Sequence, residues 1–191
     1  MKRTLNMVTD TFLVLVPHRD ARLPLRAWSA SLFAAGLPGA WSFPWVTPLA
    51  LLRRPLSRDE LKGIARALRE YINLCGGKFI AGPQVAVALH TGNNGINTSI
   101  FGPVLQTGLP DGFFEPAAGA VQNRFSPPVI GSALVKDTDS TTLPSPPEIS
   151  FRAAALANMS FHPLSPDGYS FEWKIGALYW LPKKGSTNYA N

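Results

Sequence analysis

Cysteine is almost missing from this chain: Cys75 is the only one among 191 residues. No intramolecular disulfide can form and no cysteine cluster can hold a metal, which leaves Cys75 a buried apolar role. Histidine is scarce too. His18, His90 and His162 are scattered, and with the 12 acidic residues they produce no metal-ligand spacing. No apolar run approaches the roughly 20 residues that span a bilayer. Lys2 and Arg3 ahead of Phe12-Leu13-Val14-Leu15-Val16 imitate a leader. Asp10 interrupts it, however, the run is short, and Pro17-His18-Arg19-Asp20 stands where small residues would be cleaved. The expectation is a cytoplasmic protein with no membrane partner. Gly-rich phosphate loops ending in Lys-Ser or Lys-Thr, dinucleotide fingerprints and the Gly-x-Ser-x-Gly elbow are all lacking, so nothing in the sequence asks for a cofactor.

What is present suffices for a core. A hydrophobic content of 46% supports one domain or a two-lobed unit, expected over 1–185, with 186–191 as a frayed tail. Lys and Arg number 18 against 12 acids, a formal charge of +6. That balance favours anionic partners such as nucleic acid or phosphate esters, with a merely solvated basic surface as the alternative.

Along the chain, residues 11–17 read as a buried strand ended by Pro17. A helix follows, with Pro24 in its first turn, Leu25, Trp28, Leu32 and Phe33 at helical spacing, and Gly36 placed to end it. Ser57 and Glu60 have the spacing of a capping box, and Leu61, Ile64, Ala65, Leu68 and Ile72 form the apolar stripe of the helix they open. Arg58, Lys62, Arg66 and Arg69 fall on its outward side, a basic row read as a solvated face. Residues 83–90 and 96–101 suggest two strands around the turn Gly92-Asn93-Asn94-Gly95. The stretch 102–123 gives no assignment, 129–135 suggests a strand, and 136–147 an exposed loop. Residues 171–181 alternate as a final strand.

Two short stretches echo each other: Pro44-Trp45-Val46-Thr47 and Pro147-Glu148-Ile149-Ser150. The pattern is Pro, variable, β-branched, hydroxyl. Proline holds the residue before it out of helical geometry and marks where a strand begins. Alternate strand residues share a face, so Trp45 projects with Thr47, and Glu148 with Ser150. The two pairs could face one cleft. Arg152 has the parity of Ser150 and carries a guanidinium suited to phosphate, with an outward salt bridge as its other role. Thr47 and Ser150 read equally as ligand-binding or ordinary strand hydroxyls. Trp45 reads as core packing or as a platform on which a base stacks.

The order of strand, helix, echo strand, capped helix, strands, loop, echo strand and final strand resembles the two-histidine phosphoesterases, the superfamily of 2'-5' RNA ligase-like proteins and cyclic phosphodiesterases. The resemblance implies an α+β fold, bilobal, with antiparallel sheets around a central cleft and helices outside. The family signature is His-x-Thr or His-x-Ser, twice, and on this alignment Trp45 and Glu148 stand where the family has its histidines. Thr47 and Ser150 keep the hydroxyls that, in the family, bind the phosphoryl group. The family's imidazoles act as general base and general acid, a role that needs groups poised near neutral pH. Indole cannot take it, and the charge of Glu148 repels a phosphodiester.

Three readings follow. The first is a catalytically degenerate relative whose basic cleft binds nucleotide or RNA. The second is an active phosphoesterase rearranged around Glu148 or His90, which sits beside the Gly-Asn-Asn-Gly turn whose amides could bind an anion. The third is a partner-binding protein whose cleft is filled by Trp45.

Overall fold

The computed structural model describes residues 9–36, 45–74, 80–91, 97–105, 109–125, 133–134, 143–165 and 168–180. It is an α+β fold in which an antiparallel sheet is packed on one face by two helices. The sheet is built from β1 (Thr9–Pro17), β2 (Thr47–Leu52), β3 (Ile80–Thr91), β4 (Asn97–Leu105), β5 (Val121–Arg124), β6 (Ala133–Leu134), β7 (Ile149–Ser165) and β8 (Gly168–Trp180). Helices α1 (Arg22–Ala34) and α2 (Arg58–Leu74) follow β1 and β2.

The strand order is β5-β2-β1-β7-β3-β4-β6, with β8 also paired to β7. β7 joins two groups of strands. Most of its length lies between β1 and β8, while its first residues, Ile149 and Ser150, pair with Ala81 and Ile80 of β3. The two echo segments therefore enter strands on either side of β1: Leu15 lies opposite Thr47 on one edge and Ala154 on the other.

β1 carries no hydrophobic alternation because both of its faces are covered. Leu13 and Leu15 point toward the helices, where they meet Leu25, Trp28 and Leu32 of α1 and Ile64, Leu68 and Tyr71 of α2. Phe12, Val14 and Val16 point the other way, among Leu51, Phe125 and the small side chains Ala153, Ala155 and Ala157. A strand buried on both sides reads as a continuous apolar run, which is what residues 12–16 show.

α1 keeps Leu25, Trp28, Ser29 and Leu32 inside. It is followed by Gly36 at φ 89°, a left-handed conformation that glycine adopts without steric cost. α2 opens with a reciprocal cap: the Glu60 amide donates to Ser57 Oγ at 3.3 Å, and the Ser57 amide to Glu60 Oε2 at 2.7 Å. Arg54 adds a two-pronged pair to the Glu60 carboxylate, at 2.9 and 2.7 Å. Inside α2, a Cβ at Gly63 would overlap Pro116 of the short 3-10 turn Glu115–Ala117. Only glycine admits that turn so closely, and the turn leads directly into β5.

The Arg54 guanidinium and then the Ser57 amide hold the Glu60 carboxyl down to about 2, against an ordinary value of 4.5. A carboxyl whose folded value is depressed stabilises above its unfolded value, and that contribution is lost as the pH falls through the folded one. Glu60→Gln should therefore melt below the wild-type protein at pH 7, with the gap closing between about pH 4.5 and pH 2. Paired thermal melts at the two ends of that window check it.

Several elements depart from their sequence-based bounds. The first echo strand begins at Thr47, not Trp45, and Pro48 sits where the register between β1 and β2 shifts, a place where the missing N–H of proline is tolerated. β7 runs on to Ser165, through His162 and Pro163. The unassigned stretch 102–123 holds the end of β4, the 3-10 turn and the start of β5. The expected turn at Gly92–Gly95, the tail 186–191 and most of the loop 136–147 lie outside the described residues, as do residues 129–132 and 135 of the expected strand. No helix among the described residues is long and apolar enough to cross a membrane.

Candidate functional site

The two echo pairs go to different environments. Trp45 is half-buried against the helix-side cluster, and its indole N–H donates to Ser29 Oγ of α1 at 3.1 Å. Thr47 lies opposite Leu15 on that same helix-covered side and is 0% exposed. Its Oγ1 has no hydrogen-bond partner among the described residues. A buried hydroxyl left this way costs about 1–3 kcal/mol.

The second pair faces out. Ile149 and Phe151 both enter the helix-side cluster, so Ser150 between them projects from the opposite face, where it is exposed. Glu148, just before the strand, is exposed as well. The two hydroxyls are also out of register. Thr47 is level with Leu15, whereas the Ser150 carbonyl accepts from the His18 amide at 2.8 Å. Three rows along β1 and two strand spacings across it amount to roughly 10 Å in each direction. A single phosphoryl group cannot span from Thr47 to Ser150.

Arg152 falls at the irregularity where Val16 pairs with Ala153 and Pro17 with Phe151. It is the extra residue of the β7 edge, and its side chain lies outside the described residues. His90 pairs with Thr98 near the far end of β3, ten residues along from Ile80, which pairs with Ser150. At about 3.3 Å per residue that is roughly 30 Å of strand.

His18 is the residue that strand pairing adds. Its backbone lies against Ser150, and its imidazole Nδ1 is 2.9 Å from Asp20 Oδ2 and 3.4 Å from the Asp20 amide. The imidazole thus caps the short turn that follows β1, with Nδ1 accepting from the Asp20 amide. Nothing local in the sequence signals this neighbourhood, because His18 and Ser150 meet only through the pairing of β1 with β7.

The described cations concentrate elsewhere, on the outer side of the helix layer. Arg58, Lys62, Arg66 and Arg69 of α2 are exposed, as are Arg22 and Arg26 of α1. Lys62 meets Asp59 at 3.4 Å, and Arg58, Arg66 and Arg69 have no ion pair among the described residues. Among those residues no group of three or more His, Cys, Asp or Glu could hold a metal ion. Comparison with protein-family models, with curated proteins and with solved structures yields no match.

Proposed function

We propose that this chain is a two-histidine-phosphoesterase-like protein without a working catalytic pair, which binds nucleotide or RNA and does not cleave it. The order of elements supports the relationship, and β7, shared between two groups of strands, suits a bilobal frame with a cleft between its lobes. The observation that carries the non-catalytic reading is Trp45. On the family alignment it occupies the first histidine position, and its indole is committed to Ser29 and the helix-side core. Indole has no basic lone pair to accept a proton, and losing one acid-base group forfeits about 10²- to 10⁴-fold in rate. Glu148 at the second position is a carboxylate exposed on the other side. A cytoplasmic location and the absence of a cofactor go with this reading.

Incubation with 2',3'-cyclic nucleotides and 2'-5'-linked dinucleotides should give no turnover above buffer. Efficient turnover that disappears in Glu148→Ala would overturn the proposal. One observation favours a second reading, a rearranged active site. The backbone hydrogen bond of His18 to Ser150 brings a histidine alongside a motif residue, so in that reading His18→Ala abolishes turnover and His90→Ala leaves it intact.

A further inference from the structure

We infer that the outer face of α2, rather than the echo strands, is the surface on which this protein holds RNA, along the phosphate backbone of a single strand. The inference rests on the nucleotide- or RNA-binding reading above and moves its site. Arg58, Lys62 and Arg66 recur every fourth residue and Arg69 follows three later, so the four line one strip of the helix. The strip is about 16 Å long at 1.5 Å per residue, the length of several nucleotides and far more than one phosphate needs.

All four side chains are exposed, and among the described residues the acids close to them are Asp59, Glu60 and Glu70 on α2 itself and Glu115 on the turn packed against it. Asp59 is taken by Lys62, Glu60 by Arg54, and Glu70 is the exposed acid that remains on α2. Arg22 and Arg26 are also exposed, on α1, which covers the same face of the sheet. Cations so placed neutralise phosphates and release their counterions, a sequence-independent mode of binding.

The apolar side of α2 separates RNA from a lipid surface. An interfacial helix needs its apolar face free to enter the bilayer, whereas Ile64, Leu68 and Tyr71 are each 3% exposed and locked into the core. What α2 offers is charge alone. The echo positions offer less: Thr47 is sealed in, and Ser150 stands beside the exposed carboxylate Glu148.

The test is fluorescence anisotropy with a labelled 20-nucleotide single-stranded RNA across a salt series. It uses the full chain and a variant carrying Arg58→Gln, Lys62→Gln, Arg66→Gln and Arg69→Gln, with melts confirming that both are folded. Glutamine keeps helix propensity close to that of the residues replaced. The variant should bind at least about tenfold more weakly near 100 mM salt. Its log–log salt slope should be shallower by roughly 2 to 3, at about 0.7 per lost contact. Ser150→Ala should bind RNA as the wild-type protein does. Equal RNA binding by the four-fold variant overturns the assignment. A wild-type protein that binds 2',3'-cyclic nucleotide but no RNA overturns it while leaving the binding reading intact, and one that binds neither overturns both. Binding to phosphatidylserine vesicles without binding to RNA also overturns it.

Discussion

Leu15→Ala should destabilise the fold by about 2–5 kcal/mol, read as a lowered midpoint of urea unfolding followed by tryptophan fluorescence. Leu15 is 0% exposed and stands at the centre of the helix-facing core, between two smaller neighbours in its own row, Thr47 and Ala154. Neither can expand into the space a leucine leaves. The helices above are held by their own contacts with Leu13, Leu49 and Ile149, so the cavity stays largely open and the cost falls in the upper part of the range. Leu23→Ala supplies the contrast. That leucine is 78% exposed on α1, and its loss should change stability by no more than about 0.5 kcal/mol. A Leu15 variant as stable as the Leu23 variant would mean that the helix-facing side of the sheet is not the main core.

Signals confined to a few neighbouring residues carry into the structure well. The capping box at Ser57 and Glu60 forms as its spacing implies, Gly36 follows the end of α1, and the apolar run of β1 becomes a strand covered on both faces. Signals that depend on pairing do not carry. Pro163, Asn158 and Ser160 interrupt the apolar pattern of β7, yet the strand continues because β8 pairs with it to Ser165 and β1 pairs with it to Ser160. Tertiary pairing outweighs the local preference against these residues.

The candidate site divides in the same way. Alternation places Trp45 with Thr47 on one side of the first echo strand and Ser150 opposite to its neighbours on the second. Alternation cannot tell which side the helices will cover. That choice follows from the apolar partners: Ile149 and Phe151 occupy the helix-facing side of β7 and turn Ser150 outward, whereas in the first segment Trp45 takes the helix-facing side and Thr47 goes in with it. The available clue was the first position of each motif, tryptophan in one and glutamate in the other. The basic row of α2 was fully visible in the sequence. What the structure adds is that its apolar counterpart is buried, so the row has no role in the core and the helix has no free face for a membrane.

The two motif hydroxyls occupy opposite sides of the sheet, one sealed and one open. Because Cys75 is the only native thiol, single cysteines can report on each position in a Cys75→Ser background. Maleimide labelling of Thr47→Cys and Ser150→Cys, followed by mass spectrometry, should show the thiol at 150 reacting as an exposed cysteine does. The thiol at 47 should stay protected until denaturant opens the core. Equally fast labelling at both positions in the folded protein would contradict the account. So would a disulfide forming between them in the double variant, since that bond requires Cα atoms within about 7 Å.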